Sequence, residues 1–299
     1  MQAWWLDAVT MPDHKQWDVL LAYDGNGTIC AALPFVKGTK MGLPYAVTPQ
    51  LTQYTGVWSI YGKTDSKEAQ LDKDMQVQKQ LLDQLKAKHF AFFETRCNPD
   101  YTNWLPFYWD GYKQTTKYTY RILDISNPQV VFDKFNYSKQ KQIRKAISND
   151  IYVDFSMSSD EFYDLQCLQL RANKKKNVLS RRLVTHLINT SRQRGQSLLA
   201  RAKDAEGNTH AAIFVVWDEN SAYELISAIH PDYRASGAST LVVWEAMKKL
   251  SKTTKMWDFE GSMIENVENS FRKYGAEQVP YFQITKTNKL IELISLLCR

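Results

Sequence analysis

Tyr223-Glu-Leu-Ile-Ser-Ala-Ile229, His230-Pro231 and then Asp232-Tyr-Arg234-Ala-Ser-Gly237-Ala-Ser239-Thr240 make up the stretch from which the fold is read. The first seven residues are an apolar run of strand length, ended by a proline. The next nine are polar and rich in small residues. From Leu241 onward Val242, Trp244, Met247 and Leu250 show helical spacing, and Lys255-Met-Trp-Asp-Phe259 reads as another strand. A strand that passes through a small-residue loop straight into a helix presents backbone N–H groups at the positive end of the helix dipole. That is an anion site made of main chain. Arg234, Gly237, Ala238, Ser239 and Thr240 would build it. An ordinary strand–turn–helix corner fits the same six-residue spacing, so the order of the surrounding elements has to decide.

Composition narrows the classes. The 299 residues are enough for two domains, each with a real core. With 44% hydrophobic and 13% aromatic residues the chain is not of disordered type. Met1-Gln-Ala-Trp-Trp-Leu-Asp lacks the basic start and long apolar region of a secretory leader, and the longest apolar run, Ala211 to Trp217, is too short to cross a bilayer. A cytoplasmic protein is expected. Cys30, Cys97, Cys167 and Cys298 lack metal-ligand spacing and the histidines are dispersed, so free thiols and no metal site are expected. The net charge of +6 is uneven: between Lys134 and Lys203 there are fifteen Lys/Arg against five Asp/Glu. Such a patch suits phosphate-bearing partners such as a nucleotide-linked substrate, CoA or transfer RNA. For any single lysine in it, a solvated helix face is the simpler account.

Element order carries the rest. The first half reads as a short helix at Trp5–Val9, a hairpin about Asp24-Gly-Asn-Gly27, and a third strand near Leu43–Val47. A helix follows after Asp65-Ser-Lys-Glu68, with Leu71, Met75, Leu82 and Leu85 on one face. Then come a strand at His89–Glu94, an aromatic-rich loop at Asn103–Tyr112 and an alternating strand at Thr116–Leu123. After Asn127-Pro128, a helix start, the second half offers short helices to about Asn149 and a strand at Ile151–Phe155. Helices at Asp160–Asn173 and Ser180–Gly195 precede strands at Ser197–Ala202 and His210–Trp217, which lead into the opening strand. The chain closes with a helix at Ile264–Tyr274, a strand at Val279–Thr285 and a helix at Leu290–Leu297. Both halves repeat hairpin, third strand, helix, fourth strand, without repeating residues. Two α/β domains with mixed sheets flanked by helices are expected, 1–124 and 125–299. Only the second keeps the glycine loop; Thr52-Gln-Tyr-Thr-Gly-Val-Trp58 in the first lacks the Arg-x-x-Gly spacing.

At this point the chain resembles a known group. Arg234-x-x-Gly237-x-Ser239 looks like the pyrophosphate loop of GNAT acyltransferases, with Ser239 where that family prefers Gly or Ala. Thr115-Thr-Lys-Tyr-Thr-Tyr120 with Lys141-Gln-Ile-Arg-Lys-Ala146 is similar to the linker strand and first helix of the second domain of Fem-type proteins. Trp257-Asp-Phe-Glu-Gly261 and Phe271-Arg-Lys-Tyr-Gly-Ala276 look like their closing motifs. The resemblance implies tandem GNAT folds and an acyltransferase. The donor would be acyl-CoA, or aminoacyl-tRNA as in Fem enzymes that build peptidoglycan bridges. A relic that binds a phosphorylated ligand without chemistry is the third alternative.

The implied mechanism lays a donor in a cleft between splayed strands, where an amine attacks its carbonyl. Ser227, Ala228 or Ile229 would offer backbone to the carbonyl. Glu260 and Tyr274 are the candidates for proton transfer, and Tyr274 could instead protonate a thiolate leaving group. Glu260 as a helix cap and Tyr274 as core are the plainer alternatives. Asp258 shares a strand face with Glu260. By the same resemblance Lys37 (or Lys40) and Arg171 fall where an acceptor's diphosphate is held, and Tyr118 and Trp58 where the groove is lined. Lys174-Lys-Lys176 departs from the aromatic continuation expected there, and the inserted coiled-coil arm of the family is missing.

Overall fold

The computed structural model describes residues 2–60, 66–261 and 263–288. The chain divides into two compact units, Met1–Lys117 together with the chain from Pro280, and Tyr118–Val279.

In the first unit, α1 (Ala3–Thr10) leads to β1 (Gln16–Tyr23), β2 (Ile29–Lys40), β3 (Leu43–Val47), the short β4 (Trp58–Ser59), α2 (Lys67–Ala87), β5 (Phe92–Arg96) and α3 (Leu105–Trp109). Asp24 turns the hairpin: its carboxylate accepts from Asn26 and Thr28, and Gly27 takes the left-handed conformation. The helix α2 starts at Ser66, whose hydroxyl accepts from the Ala69 N–H; Asp65 of the expected cap lies outside the described residues. Its buried face is Val77, Gln78, Leu81, Leu82 and Leu85, while Leu71 is exposed, because the first turns bury no residue. That face packs with Leu20, Leu33, Phe35 and Phe93 into one core, each fully buried side chain of this size contributing about 1.5–3 kcal/mol. The aromatic stretch expected as loop forms α3 instead, with Pro106 in its first turn and Phe107 buried.

The strand β6 (Lys113–Ile122) carries the chain into the second unit. There follow α4 (Pro128–Lys134), α5 (Tyr137–Ser148), β7 (Tyr152–Asp154), α6 (Ser159–Ala172), α7 (Arg181–Gln193), β8 (Ser197–Lys203), β9 (Thr209–Trp217), β10 (Ser221–Ile229), α8 (Ala238–Leu250), β11 (Met256–Asp258) and α9 (Glu265–Arg272). The strand β12 (Glu277–Thr287) leaves it. Asn127 caps α4, accepting from Gln129 and Val130, and Ser158 with Glu161 forms a complete capping box on α6. Successive residues of β8 and β9 feed two faces. Leu198, Ala200, Ile213 and Val215 face α8 and α5 with Leu241, Val242 and Trp244. Phe214 faces the other way, onto Phe162 of α6.

Strand order shows what the halves share and what they exchange. In the first unit it is β1-β2-β3-β5-β12, and in the second β7-β8-β9-β10-β11-β6. In each, an antiparallel meander meets one parallel neighbour: β3 with β5, and β10 with β11. The last strand comes from the other half of the chain in both cases. Arg121 and Ile122 of β6 pair with β11, and Gln283–Thr287 of β12 pair with β5. A cut at residue 124 with everything after it in one domain therefore differs from the compact units, which reclaim the chain from Pro280 for the first. The expected helix at Leu290–Leu297 lies outside the described residues.

Candidate active site

The strands β10 and β11 run side by side for three residues only, Ser221↔Met256, Ala222↔Trp257 and Tyr223↔Asp258. Beyond Tyr223, β10 continues to Ile229 on β9, while β11 stops at Asp258. The stop has an identifiable cause. Asp258 is fully buried and receives Arg121 Nε at 2.7 Å, Thr119 Oγ1 at 2.5 Å and the Glu260 N–H at 2.8 Å. Glu260 and Gly261 then both adopt left-handed backbone, and a Cβ on Gly261 would lie 2.2 Å from the Tyr118 carbonyl oxygen. The chain turns out of the sheet, and among the described residues no strand pairs with the later half of β10 on that side.

A register shift between Glu224 and Ile226 makes Leu225 a bulge. Glu224 sits opposite Val215, and after the bulge Ser227 sits opposite Ile213. Directly opposed residues share a face, so Glu224 and Ser227, three apart, both point to the α5–α8 side. The bulge also sets the backbone. His230 N–H bonds His210, so along this strand Ala228 directs its N–H at β9, while Ser227 and Ile229 direct theirs into the gap. The Ile229 N–H is already held by Gln169 Oε1 of α6 at 3.2 Å. Ser227, exposed, is the expected residue whose amide direction and accessibility both suit a carbonyl.

The small-residue loop lies at the head of α8. Gly237 is its N-cap at φ 86°, and a Cβ there would come within 2.2 Å of the Gln142 carbonyl oxygen of α5. Both backbone conformation and close approach require glycine. Lys145 Nζ donates to the Ala235 carbonyl at 2.7 Å, Arg234 Nη2 to Asn173 Oδ1 at 2.7 Å, and Thr240 Oγ1 to Gln142 Oε1 at 2.5 Å. Arg234 and Ala235 are exposed, Ser239 is half-buried, and Gly237, Ala238 and Thr240 are buried.

Under the gap lies a charged cluster that composition did not single out. Glu224 is half-buried as a residue, but its Oε2 is sealed from solvent and has no hydrogen bond among the described residues. Burial raises its carboxyl to about 7; the Lys139 charge and the Trp257 indole beside it oppose the rise. Lys139 of α5 is 7% exposed and its ammonium is pushed down to about 8, chiefly by burial, against the pull of Glu224. It donates to Ser270 Oγ at 2.9 Å and lies 4.0 Å above the centroid of the Tyr274 ring. Tyr274 is 4% exposed, and its phenol is raised by burial and further by the Glu224 charge, with the Thr240 hydroxyl acting the other way. Of the two proton-transfer candidates, Tyr274 thus joins this cluster. Glu260 occupies the left-handed turn after β11. Glu224 was legible as a lone charge inside the apolar run Tyr223–Ile229.

The acceptor candidates fall in both units. Lys37 on β2 is paired with Asp18 at 3.2 Å. Arg171 is exposed in the last turn of α6, and Tyr118 is half-buried at the start of the second unit. Lys40 and Trp58 are exposed in the first unit. Among the described residues no group of His, Cys, Asp and Glu could hold a metal ion, and no helix is long and apolar enough to cross a membrane.

Residues 150–257 match the acetyltransferase (GNAT) domain family. No curated protein matches at the sequence level. Among solved structures, FemX is similar with a TM-score of 0.66 at 10% identity, over 90% of this chain and 88% of that one. L-PGS from Bacillus licheniformis is similar at 0.58 and 11%, over 98% and 90%. A tandem GNAT protein from the clavulanic acid biosynthesis pathway is similar at 0.57 and 12%, over 93% and 84%. At these identities the likeness is one of fold, and it extends over both units. The chain thus carries a match to the GNAT acetyltransferase domain within its second unit, and over both units it shares the fold of FemX and of a tandem GNAT protein.

Proposed function

We propose that the protein is an N-acyltransferase that moves an acyl group from acyl-CoA to an amine, with a phosphate-bearing cell-envelope precursor as the acceptor class. One observation carries this reading: the gap beyond Tyr223 and Asp258 has the Ser227 amide on its wall and the Glu224–Tyr274 pair on its α8 side. The donor's phosphates sit at the head of α8, against Gly237, Ala238, Ser239 and Thr240, with Arg234 at the rim. The acyl carbonyl accepts a hydrogen bond from the Ser227 N–H, which strengthens as the oxygen becomes an oxyanion. Glu224, with a carboxyl near 7, takes the proton that the attacking amine must lose. Tyr274 gives its proton to the departing thiolate. Glu224 thus takes the base role ahead of Glu260. The work is assigned to the cytoplasm, where acyl-CoA is made and used. Lys37, Arg171 and Tyr118 remain the proposed acceptor contacts.

Aminoacyl-tRNA is the second donor reading. What favours it is the exposed run Lys174–Lys176, which directly follows Asn173, the partner of Arg234. Thermal unfolding with acetyl-CoA at about a hundred times its Kd is expected to show about 3 kcal/mol of stabilisation, a rise of a few degrees. Gly237→Trp should abolish it. No rise with saturating acetyl-CoA, alongside binding of charged tRNA that weakens steeply with salt, moves the donor to the second reading. No response to either leaves the non-catalytic alternative.

A further inference from the structure

One helix touches both the loop and the acid–base cluster of the proposed donor site. Along α5, three residues spaced about a turn apart meet three different parts of it. Lys145 holds the carbonyl of Ala235 in the loop. Gln142 seats Gly237 with its carbonyl and receives the Thr240 hydroxyl. Lys139 reaches the acid–base cluster, where Ser270 Oγ and the face of Tyr274 fix its ammonium. The buried positions of the helix are Lys139, Ile143 and Ala146, a spacing of four and then three. A lysine therefore occupies a core position, where an apolar side chain would pack without the cost of burying a charge.

We propose that Lys139 is a positioning residue of the acyl-transfer site: acting through Glu224 and Tyr274, it supplies the fixed positive charge against which Glu224 is a carboxylate in an apolar pocket, and it holds the Tyr274 ring beneath the gap. The role, though not the coupling, rests on the acyl-transfer reading. The groups acting on Glu224 are Lys139 from α5 and the Trp257 indole from β11; Glu224 in turn acts on Tyr274, from the segment after α9. Lys273 acts on Lys139 by repulsion, in the same direction as burial. Without Lys139, nothing in this set offsets the desolvation of a Glu224 carboxylate except one indole N–H. Glu224 would then stay protonated at neutral pH and unable to accept a proton.

Two titrations test this without any acceptor substrate. In full-length protein labelled at the glutamate side-chain carboxyl carbon, Glu224→Gln identifies the Glu224 signal, which is then followed between about pH 5 and 9. Its midpoint is expected near 7 in the natural protein, at least about one unit higher in Lys139→Met, and restored in Lys139→Arg. Coupling is mutual, so Glu224→Gln should lower the Lys139 ammonium midpoint from about 8 by a similar amount, read from lysine labelled beside the nitrogen. A movement below about half a unit in Lys139→Met, or in the opposite sense, overturns the proposal. Should the methionine variant not fold, the lysine titration in Glu224→Gln decides by the same threshold. Acetyl-CoA stabilisation measured on the natural protein keeps the two questions apart. Stabilisation with uncoupled titrations defeats only the role of Lys139, and coupled titrations without stabilisation defeat only the acyl-CoA reading.

Discussion

The gap after Tyr223 in the second unit and the gap after Ala46 in the first occupy the same place in the topology, and they are filled differently. In both, a parallel pair of strands separates after two or three residues: β10 from β11 past Tyr223↔Asp258, β3 from β5 past Ala46↔Phe93. In the second unit β10 keeps its partner β9 as far as Ile229, so a long backbone edge faces the opening. In the first unit β3 ends at Val47, and the chain itself returns through the space. Thr55 and Gly56 both donate to the Arg96 carbonyl, at 2.9 and 2.8 Å. Trp58 and Ser59 pair with Ala32 and Ala31 of β2. Gly56 is glycine because a Cβ would lie 2.7 Å from Cys97 Cα. Thr55 links Thr48 at 2.9 Å and Thr95 at 3.2 Å, tying the two separated strands together with hydroxyls. One gap carries a titratable cluster and an accessible amide, the other a neutral plug. The same fold can therefore leave an open gap or a filled seam, depending on a dozen residues after one strand.

The largest effect is expected where the comparison is sharpest. If Glu224 is the base, Glu224→Gln should lower kcat by about 10²–10⁴-fold with acetyl-CoA affinity retained. Glu260→Gln, in the turn after β11, should cost less than about tenfold by the same measure. Steady-state kinetics on a panel of amines gives both numbers, and the reverse ranking would return the base role to Glu260.

The next effect is on stability and separates the two gaps by pH. The Glu224 carboxyl is raised in the folded protein from 4.5 to about 7. A raised folded value means that the folded state binds more protons than the unfolded state between those two values. Stability contributed by this group is therefore present below 4.5 and lost as pH rises through 7, by about 3 kcal/mol. Lys139, lowered from 10.5 to about 8, has the opposite sense: its burial cost is complete below 8 and is relieved as pH rises from there to 10.5. Urea unfolding in steps from about pH 5 to 8 should show a decline that Glu224→Gln flattens. Equal pH slopes for the two proteins would mean that Glu224 is not buried as a titrating group.

How much of this was legible follows from what each signal measures. Period-two and period-3.6 patterns report which residues are half-buried in one element, so Leu43–Val47, the hairpin at Asp24 and the cap at Asn127 were all readable from local chemistry. They do not report which strand is the neighbour. Thr116–Leu123 and Val279–Thr285 read as strands, but that each ends in the sheet of the other half depends on pairing, which no local pattern encodes. The bulge at Leu225 is one extra residue, and its effect is to bring Glu224 and Ser227 onto one face, where strict alternation would oppose them. Lys139 was within reach: carrying the Ile143–Ala146 spacing back by four residues places it on the buried face of α5. The basic composition of the surrounding stretch concealed it, because one buried lysine among exposed ones does not change a charge count.

The smallest effect tests the plug. Thr55 is 3% exposed, and its hydroxyl joins Thr48 and Thr95. Thr55→Val keeps the shape of the side chain and removes that link, leaving two buried hydroxyls to find other partners. A loss of about 1–2 kcal/mol is expected from unfolding by urea, typical for hydrogen bonds left unmade in an interior. Acetyl-CoA affinity should stay within about twofold, since nothing in the second gap depends on this residue. A variant of undiminished stability would show that the hydroxyls carry no weight. A second acetyl-CoA equivalent bound by Thr55→Val would show that the first gap is a donor site held shut by one side chain, and the contrast between the two units would then be one of occupancy rather than of chemistry.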